Sequence, residues 1–357
     1  MHRKTQILGL FLLLALALAG CSDGLPGAGV TPEVTQPPTE TAAPTEIPTP
    51  TNTPLPPVGV LLVPEGANSA LADRLQTFLS EQIPPHGMRF QLRPALDAET
   101  IRRDDIRWVI ALPPVDDLGA LAAAVPDVRF VALGFDALEP AANLTIVAVP
   151  EDWYLQQAFM AGYMGMVLTY DWRVGMVRVN LPQDNLASEA FRNGALFFCA
   201  SPSGDLNCYS HFAPVIAYPI IVYGEPELSP DEWPGLGRYL LNQAVETVFV
   251  SPLVDSDPLL RYLGQEEAII IGTSPPLDGL RAQWAASLEF DLFAAFERHW
   301  PEFVAGSDGE LVNVSLEITH VNPDLLSPGR QQFVEKMLAD IQGGYIILTE
   351  ENNVNNP

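Results

Sequence analysis

The sequence is short of positive charge. Its 357 residues carry 18 Lys and Arg against 44 Asp and Glu, a formal net charge of −26. A surface of that sign repels phosphate backbones and anionic lipid headgroups, which excludes nucleic acid as a partner. Cysteine and histidine are also scarce, at three and five residues, and the histidines at 2, 86, 211, 299 and 320 are scattered. The chain has no HExxH, no GxSxG and no phosphate-cradling loop followed by Lys-Ser/Thr. No nucleophile–base pattern stands out, so the chain reads as a binding protein without metal or cofactor, not as an enzyme. Long apolar runs are missing too. The two most apolar stretches, 7–20 and 158–169, fall short of the roughly 20 residues a membrane helix needs.

The amino terminus reads MHRKTQILGLFLLLALALAGCSDG. Arg3 and Lys4 form a basic start and residues 7–20 a short apolar core, the pattern of a secretory signal over 1–20. Its end, Leu18-Ala19-Gly20-Cys21, resembles a bacterial lipobox, which implies acylation of Cys21. The expected location is extracytoplasmic, on the bacterial cell membrane, with the lipid as the only membrane attachment. Residues 21–57 follow as a spacer rich in Pro and Thr, with almost nothing to bury. At about 3.1 Å per residue, an extended chain of this kind holds the folded part up to roughly 100 Å from the membrane.

From residue 58 short apolar runs alternate with helical patterns, which predicts parallel sheets covered on both faces. Strands are expected at 58–63, 88–94, 106–112, 128–135 and 143–149, with helices at 68–82 and 116–125. The same rhythm restarts after Pro150. It gives a helix from 151, strands at 173–179, 214–222, 247–250 and 268–272, and helices at 184–198, 230–243 and 257–265. Asp184 and Asp257 are expected as helix caps, with Pro258 at a first helical position. A helix at 290–300, a strand region at 311–319, a helix at 327–344 and a strand at 345–348 complete the chain. The fold class is α/β: two Rossmann-like lobes, 58–150 with 280–318 and 151–279 with 319–357. They are joined by hinge strands near 145–152, 276–284 and 317–323. Ala158, Ala161, Gly162 and Gly165 share one side of their helix and predict close approach of a neighbour inside the protein.

Phe159-Met160-Ala161-Gly162-Tyr163, then Arg173-Val174-Gly175-Met176-Val177, then Phe191 and Gly194 in SEAFRNGA form one block. It resembles the basic membrane protein family of solute-binding lipoproteins, which have the type I periplasmic-binding-protein fold. The order of elements from 58 to 348 also fits. The resemblance implies capture of a small, nucleoside-like solute by a monomer, for delivery to an ABC transporter permease. The chain departs from the family where nucleosides are held. VPEGANSALADRL replaces a Thr-Asp, glycine-rich loop followed by Phe-Asn. Gly272-Thr273-Ser274 stands for Gly-x-Asp, and Ser287-Leu288-Glu289 puts a carboxylate where a Lys is usual. A sensor or surface interaction lipoprotein on the same scaffold is the alternative.

Ligands of open α/β sheets collect beyond the carboxyl ends of strands. That rule selects Glu65, Asn68, Asp116, Phe135, Asp136, Asn180, Ser251, Asp255, Thr273 and Ser274, although residues at such positions more often serve as helix caps or turns. Trp153 and Tyr154 are either stacking groups or core. Asp255 and Asp257 form a DxD in VDSDP, which suits a helix cap better than a metal. Cys199 and Cys208 bracket a turn-rich loop in an oxidising location, which predicts a disulfide once Cys21 carries lipid.

Overall fold

The computed structural model describes residues 55–199, 217–306 and 309–349. The signal, Cys21, the spacer to residue 54, Cys208 and part of the expected strand at 214–222 lie outside the described residues. Residues 55 onward form one compact unit of their own.

Two six-stranded sheets organise it. The first holds β1 (Val58–Leu62), β2 (Arg89–Arg93), β3 (Ile106–Ala111), β4 (Arg129–Leu133), β5 (Leu144–Ala148) and β11 (Leu311–Asn313), all parallel. Its order is β11-β5-β4-β3-β1-β2. β1 is buried at all five positions, as a strand covered on both faces must be. Side chains alternate between two cores. Leu61 joins the core under α1 (Ser69–Gln82) and α8 (Leu292–Ala305), while Val60 and Leu62 join the one under α2 (Ala98–Arg103) and α3 (Leu118–Ala124).

The second sheet holds β6 (Val174–Val179), β7 (Ile220–Gly224), β8 (Thr247–Val250), β9 (Ile269–Gly272), β10 (Trp284–Glu289) and β12 (Glu317–Thr319). Its order is β12-β10-β9-β8-β6-β7, with β12 antiparallel to β10 and the rest parallel. α4 (Trp153–Leu168), α5 (Pro182–Cys199) and α9 (Pro328–Gln342) share one core, and α6 (Pro234–Asn242) and α7 (Asp257–Gln265) the other. Numbered within itself, each sheet runs 2-1-3-4-5 and gains an edge strand from the segment 311–319. The halves are one topology used twice, the two-lobe architecture of type I periplasmic-binding proteins. The chain passes between them at 149–152, 290–291 and 314–316. Phe290, at the second crossing, packs against cores of both lobes.

α4 is buried at every residue from Gln157 to Leu168. A helix apolar on all sides belongs in a core, and no helix among the described residues is long and apolar enough to cross a membrane. The small residues have the expected use. Gly162 lies against the backbone of Phe191 and Ala195, and Gly194 of α5 against the backbone of Phe159, so each helix seats its glycine on the other's main chain.

Several expectations are corrected. Asp184 is the third residue of α5, not its cap; its carboxylate turns back to the Val179 amide at 2.8 Å. Ser256 caps α7 by accepting from the Leu259 amide at 3.1 Å, which makes Asp257 and Pro258 the first two helical residues. Residues 345–348 form no strand, because α9 ends at Gln342 on the helix side of the sheet and Leu348 packs there against α5, its carbonyl accepting from Asn193. β10 was not expected, and it pairs with β9, so residues 284–289 belong to the second sheet although 280–318 was assigned to the first lobe. The crossings expected at 276–284 and 317–323 therefore fall at 290–291 and 314–316, since β12 too belongs to the second sheet. β7 begins at Ile220 rather than 214.

Candidate ligand-binding site

In each sheet the strand order reverses between the first strand and its third, which places the crevices at β1/β3 and β6/β8. The loops beyond those carboxyl ends carry the expected candidates, but the structure does not gather them in one place.

Four meet in the second lobe. A cavity of about 390 Å³ opens beyond β8 and β9, lined by Ser251, Asp255, Thr273 and Ser274, with Asp257 and Trp284 beside them. Ser251 is committed elsewhere: 1% exposed, it donates to a carboxylate oxygen of Asp184 at 2.8 Å. Ser287, 0% exposed, ties two of the lining residues together, its hydroxyl accepting from the Trp284 indole at 2.8 Å and donating to the Ser274 carbonyl at 2.7 Å. Asp255 and Ser274 are exposed and Thr273 half-buried, and these three, with the exposed Asp257, are the polar groups the cavity presents.

Three others meet beside the first crossing. A cavity of about 300 Å³ is walled by Phe135 and Asp136 after β4, by residues 148–151, by Trp153 opening α4, and by Leu311 and Asn313 of β11. Its position follows from local chemistry. Gly134 takes φ +72° and turns the chain out of β4, which sets Phe135 half-buried and Asp136 exposed on the rim. Trp153 makes an edge-to-face contact with Tyr154 at 5.9 Å.

The remaining candidates stand apart from both cavities. Asn68 is the cap of α1, accepting from the Leu71 amide at 3.0 Å. Glu65 and Asp116 are exposed turn residues near the first switch point. Asn180 donates to both carboxylate oxygens of Glu225 at 3.1 Å. Tyr154 packs against the core of the second lobe. A further cavity of about 370 Å³ lies at the amino ends of β3 and β4, lined by residues such as Arg102 and Arg107. It is at the wrong end of the sheet for the crevice.

Sequence reasoning missed two features. Glu151 lines the crossing cavity; its place between a strand end and Trp153 was the available signal. Asp184, 2% exposed at the second switch point, bonds Val179 and Ser251. Burial pushes its carboxyl above the usual carboxylate range, against the lowering pull of those two hydrogen bonds and of Arg178. Its role is to tie α5, β6 and β8 together at the crevice. Among the described residues no group of three or more His, Cys, Asp or Glu is placed to hold a metal ion.

No family model matches the sequence, and no curated protein does either. Solved structures do resemble it. An ABC transporter solute-binding protein from Conexibacter woesei DSM 14684 superposes with a TM-score of 0.55 at 17% identity, covering 81% of this chain and 97% of that one. ABC transporter solute-binding proteins from Aeropyrum pernix K1 give 0.51 at 11% identity, covering 81% and 92%. At these identities the likeness establishes the fold: two α/β lobes of the type I periplasmic-binding-protein kind.

Proposed function

We propose that this chain is a lipid-anchored, extracytoplasmic solute-binding protein that holds a small molecule between its lobes and passes it, as a monomer, to an ABC importer permease. The observation that carries the reading is the duplicated 2-1-3-4-5 sheet joined by three crossings. It puts two sets of carboxyl-end loops on one chain, each with a cavity of about 300–390 Å³. Pockets of that size suit small solutes. The lipobox at Cys21 and the Pro/Thr spacer supply tether and reach. The resemblance of residues 159–194 to the basic membrane protein family supports the same role, and its nucleosides are the first solutes to try. Cys199, at the buried end of α5, pairs with Cys208 in this reading.

The direct test is calorimetry and thermal shift against nucleosides, sugars, amines and amino acids. A true solute at a hundredfold excess over its dissociation constant adds about 2.7 kcal/mol of stability; no shift with any of them refutes capture. For the anchor, Cys21→Ser should move the chain from the membrane to the soluble fraction, and an unchanged distribution counts against lipidation.

A second reading, a sensor on the same scaffold that feeds no permease, is favoured by Asn68 and Ser251, whose polar groups are bound within the protein. Uptake that survives deletion of the gene, alongside intact solute binding, would select it.

A further inference from the structure

We propose that the cavity beside the first crossing takes a small organic cation, an amine or quaternary ammonium compound. The inference rests on the solute-capture reading and adds the class of solute. The cavity brings together two aromatic rings, Phe135 and Trp153, and two carboxylates, Asp136 and Glu151. Aromatic faces attract cations through their quadrupole, and carboxylates complete the charge. No Lys or Arg lines the cavity. Residues 130–172, which supply most of the wall and α4 behind it, contain no Lys or Arg, and Glu310 precedes the β11 wall.

The same asymmetry extends around the cleft. The loops at 63–68, 94–97, 112–117, 134–143, 149–152, 180–181, 225–233 and 251–256 all follow strand carboxyl ends, and none holds a Lys or Arg. Only the loop 273–283 has one, Arg281, and its guanidinium is bound to the carbonyls of His320 and Val321. A crevice rimmed by one sign of charge raises the local concentration of the opposite ion.

Hydrogen-bond inventory points the same way. The charged wall groups are acceptors, whereas a sugar or nucleoside needs donors as well, and an anion needs only donors.

The test is calorimetry on the full-length chain in mild detergent at low salt. The probes are choline, putrescine, the neutral choline isostere 3,3-dimethylbutan-1-ol, adenosine and glucose. At least one cation is expected to bind, with the neutral isostere at least tenfold weaker than choline if choline is the binder. Trp153→Leu and the double variant Asp136→Asn/Glu151→Gln should each weaken that cation at least tenfold at unchanged circular dichroism. The double variant alters exposed side chains only, so it serves if Trp153→Leu fails to fold. Equal binding of choline and its isostere, or cation binding unaffected by the double variant, overturns the proposal. Binding of adenosine or glucose with neither cation overturns it too but leaves solute capture standing. Silence from all five probes overturns both.

Discussion

Replacing Gly162 by Ala should weaken the second lobe, although the same exchange in most helix interiors strengthens a protein. Ordinarily a Gly→Ala exchange there gains about 0.5–1 kcal/mol, because glycine gives up the most backbone freedom on folding. The crossing of α4 and α5 reverses the sign. A methyl on Gly162 would land on the Phe191 carbonyl, 2.9 Å from its carbon and 3.1 Å from the Ala195 nitrogen. On Gly194 it would meet the Phe159 carbonyl likewise, 2.9 Å from the carbon and 3.1 Å from Cα. Carbon atoms rest about 3.5–4.0 Å apart and the carbonyl oxygen lies nearer still, so the helices have to separate by roughly 1 Å or more. Both obstacles are main chain, so no rotamer change relieves them. Separation also loosens Phe159 and Phe191, which are 1% and 0% exposed.

Overpacking a filled core costs about 1–3 kcal/mol. With the propensity gain set against it, the expected net loss for Gly162→Ala is up to about 2.5 kcal/mol, centred on about 1 kcal/mol. Urea unfolding followed by circular dichroism reads this as a lower midpoint. Gly235→Ala is the control: in α6 a methyl there meets nothing within 4 Å, so stability should hold or rise by up to about 1 kcal/mol. Because one separation accommodates both methyls, Gly162→Ala/Gly194→Ala should cost less than the sum of the singles. A Gly162→Ala midpoint at or above that of the parent chain would refute the close-crossing account.

Burial raises the Asp184 carboxyl, so the folded chain holds that proton more tightly than the unfolded one; the stabilisation is complete at low pH and is lost as pH rises through the raised folded value. Asp184→Asn, which still accepts from Val179, should therefore gain on the parent as pH climbs from 4 to 8, and a parent that gains instead sinks the assignment. Asp184→Ala should cost about 1–3 kcal/mol at any pH in that range, since it strands the Val179 amide. If Cys199 and Cys208 are joined, reduction should remove about 2–3 kcal/mol for so short a loop; unfolding curves that coincide with and without reductant would count against the bond.

Much of the fold was legible because burial on two faces leaves a plain signature. VGVLL and VGMVRV are apolar at almost every position, which only a doubly covered strand requires. The small residues of α4 announced a close neighbour, and α5 is that neighbour. β10 was harder. WAASLE carries two alanines, a serine and a terminal glutamate, and its strand character comes from pairing with β9 and β12 rather than from its own side chains. The segment 345–348 failed in the opposite sense. YIIL has strand propensity, but the chain leaves α9 on the helix side of the sheet and Leu348 packs against α5 there, while β10 is already paired on both sides by β9 and β12.

The site was legible only as a set of loops. Strand carboxyl ends can be found from periodicity, so the rule about crevices selected loops at the carboxyl edge of both sheets. Which side chains face a guest is decided by a competition that one sequence does not display. The polar residues that suit a ligand, Asn68 and Ser251, also suit the helix ends and buried carboxylates beside them, and here those local partners win. Phe135, Asp136, Glu151 and Trp153 escape that competition for a physical reason. The rings have little to offer a cap, and the two carboxylates are exposed at the rim of a cavity whose described lining holds no Lys or Arg. Residues left over after the fold has satisfied itself are the ones free to serve a solute, which is why the crossing cavity carries more weight than the larger one beyond β8 and β9.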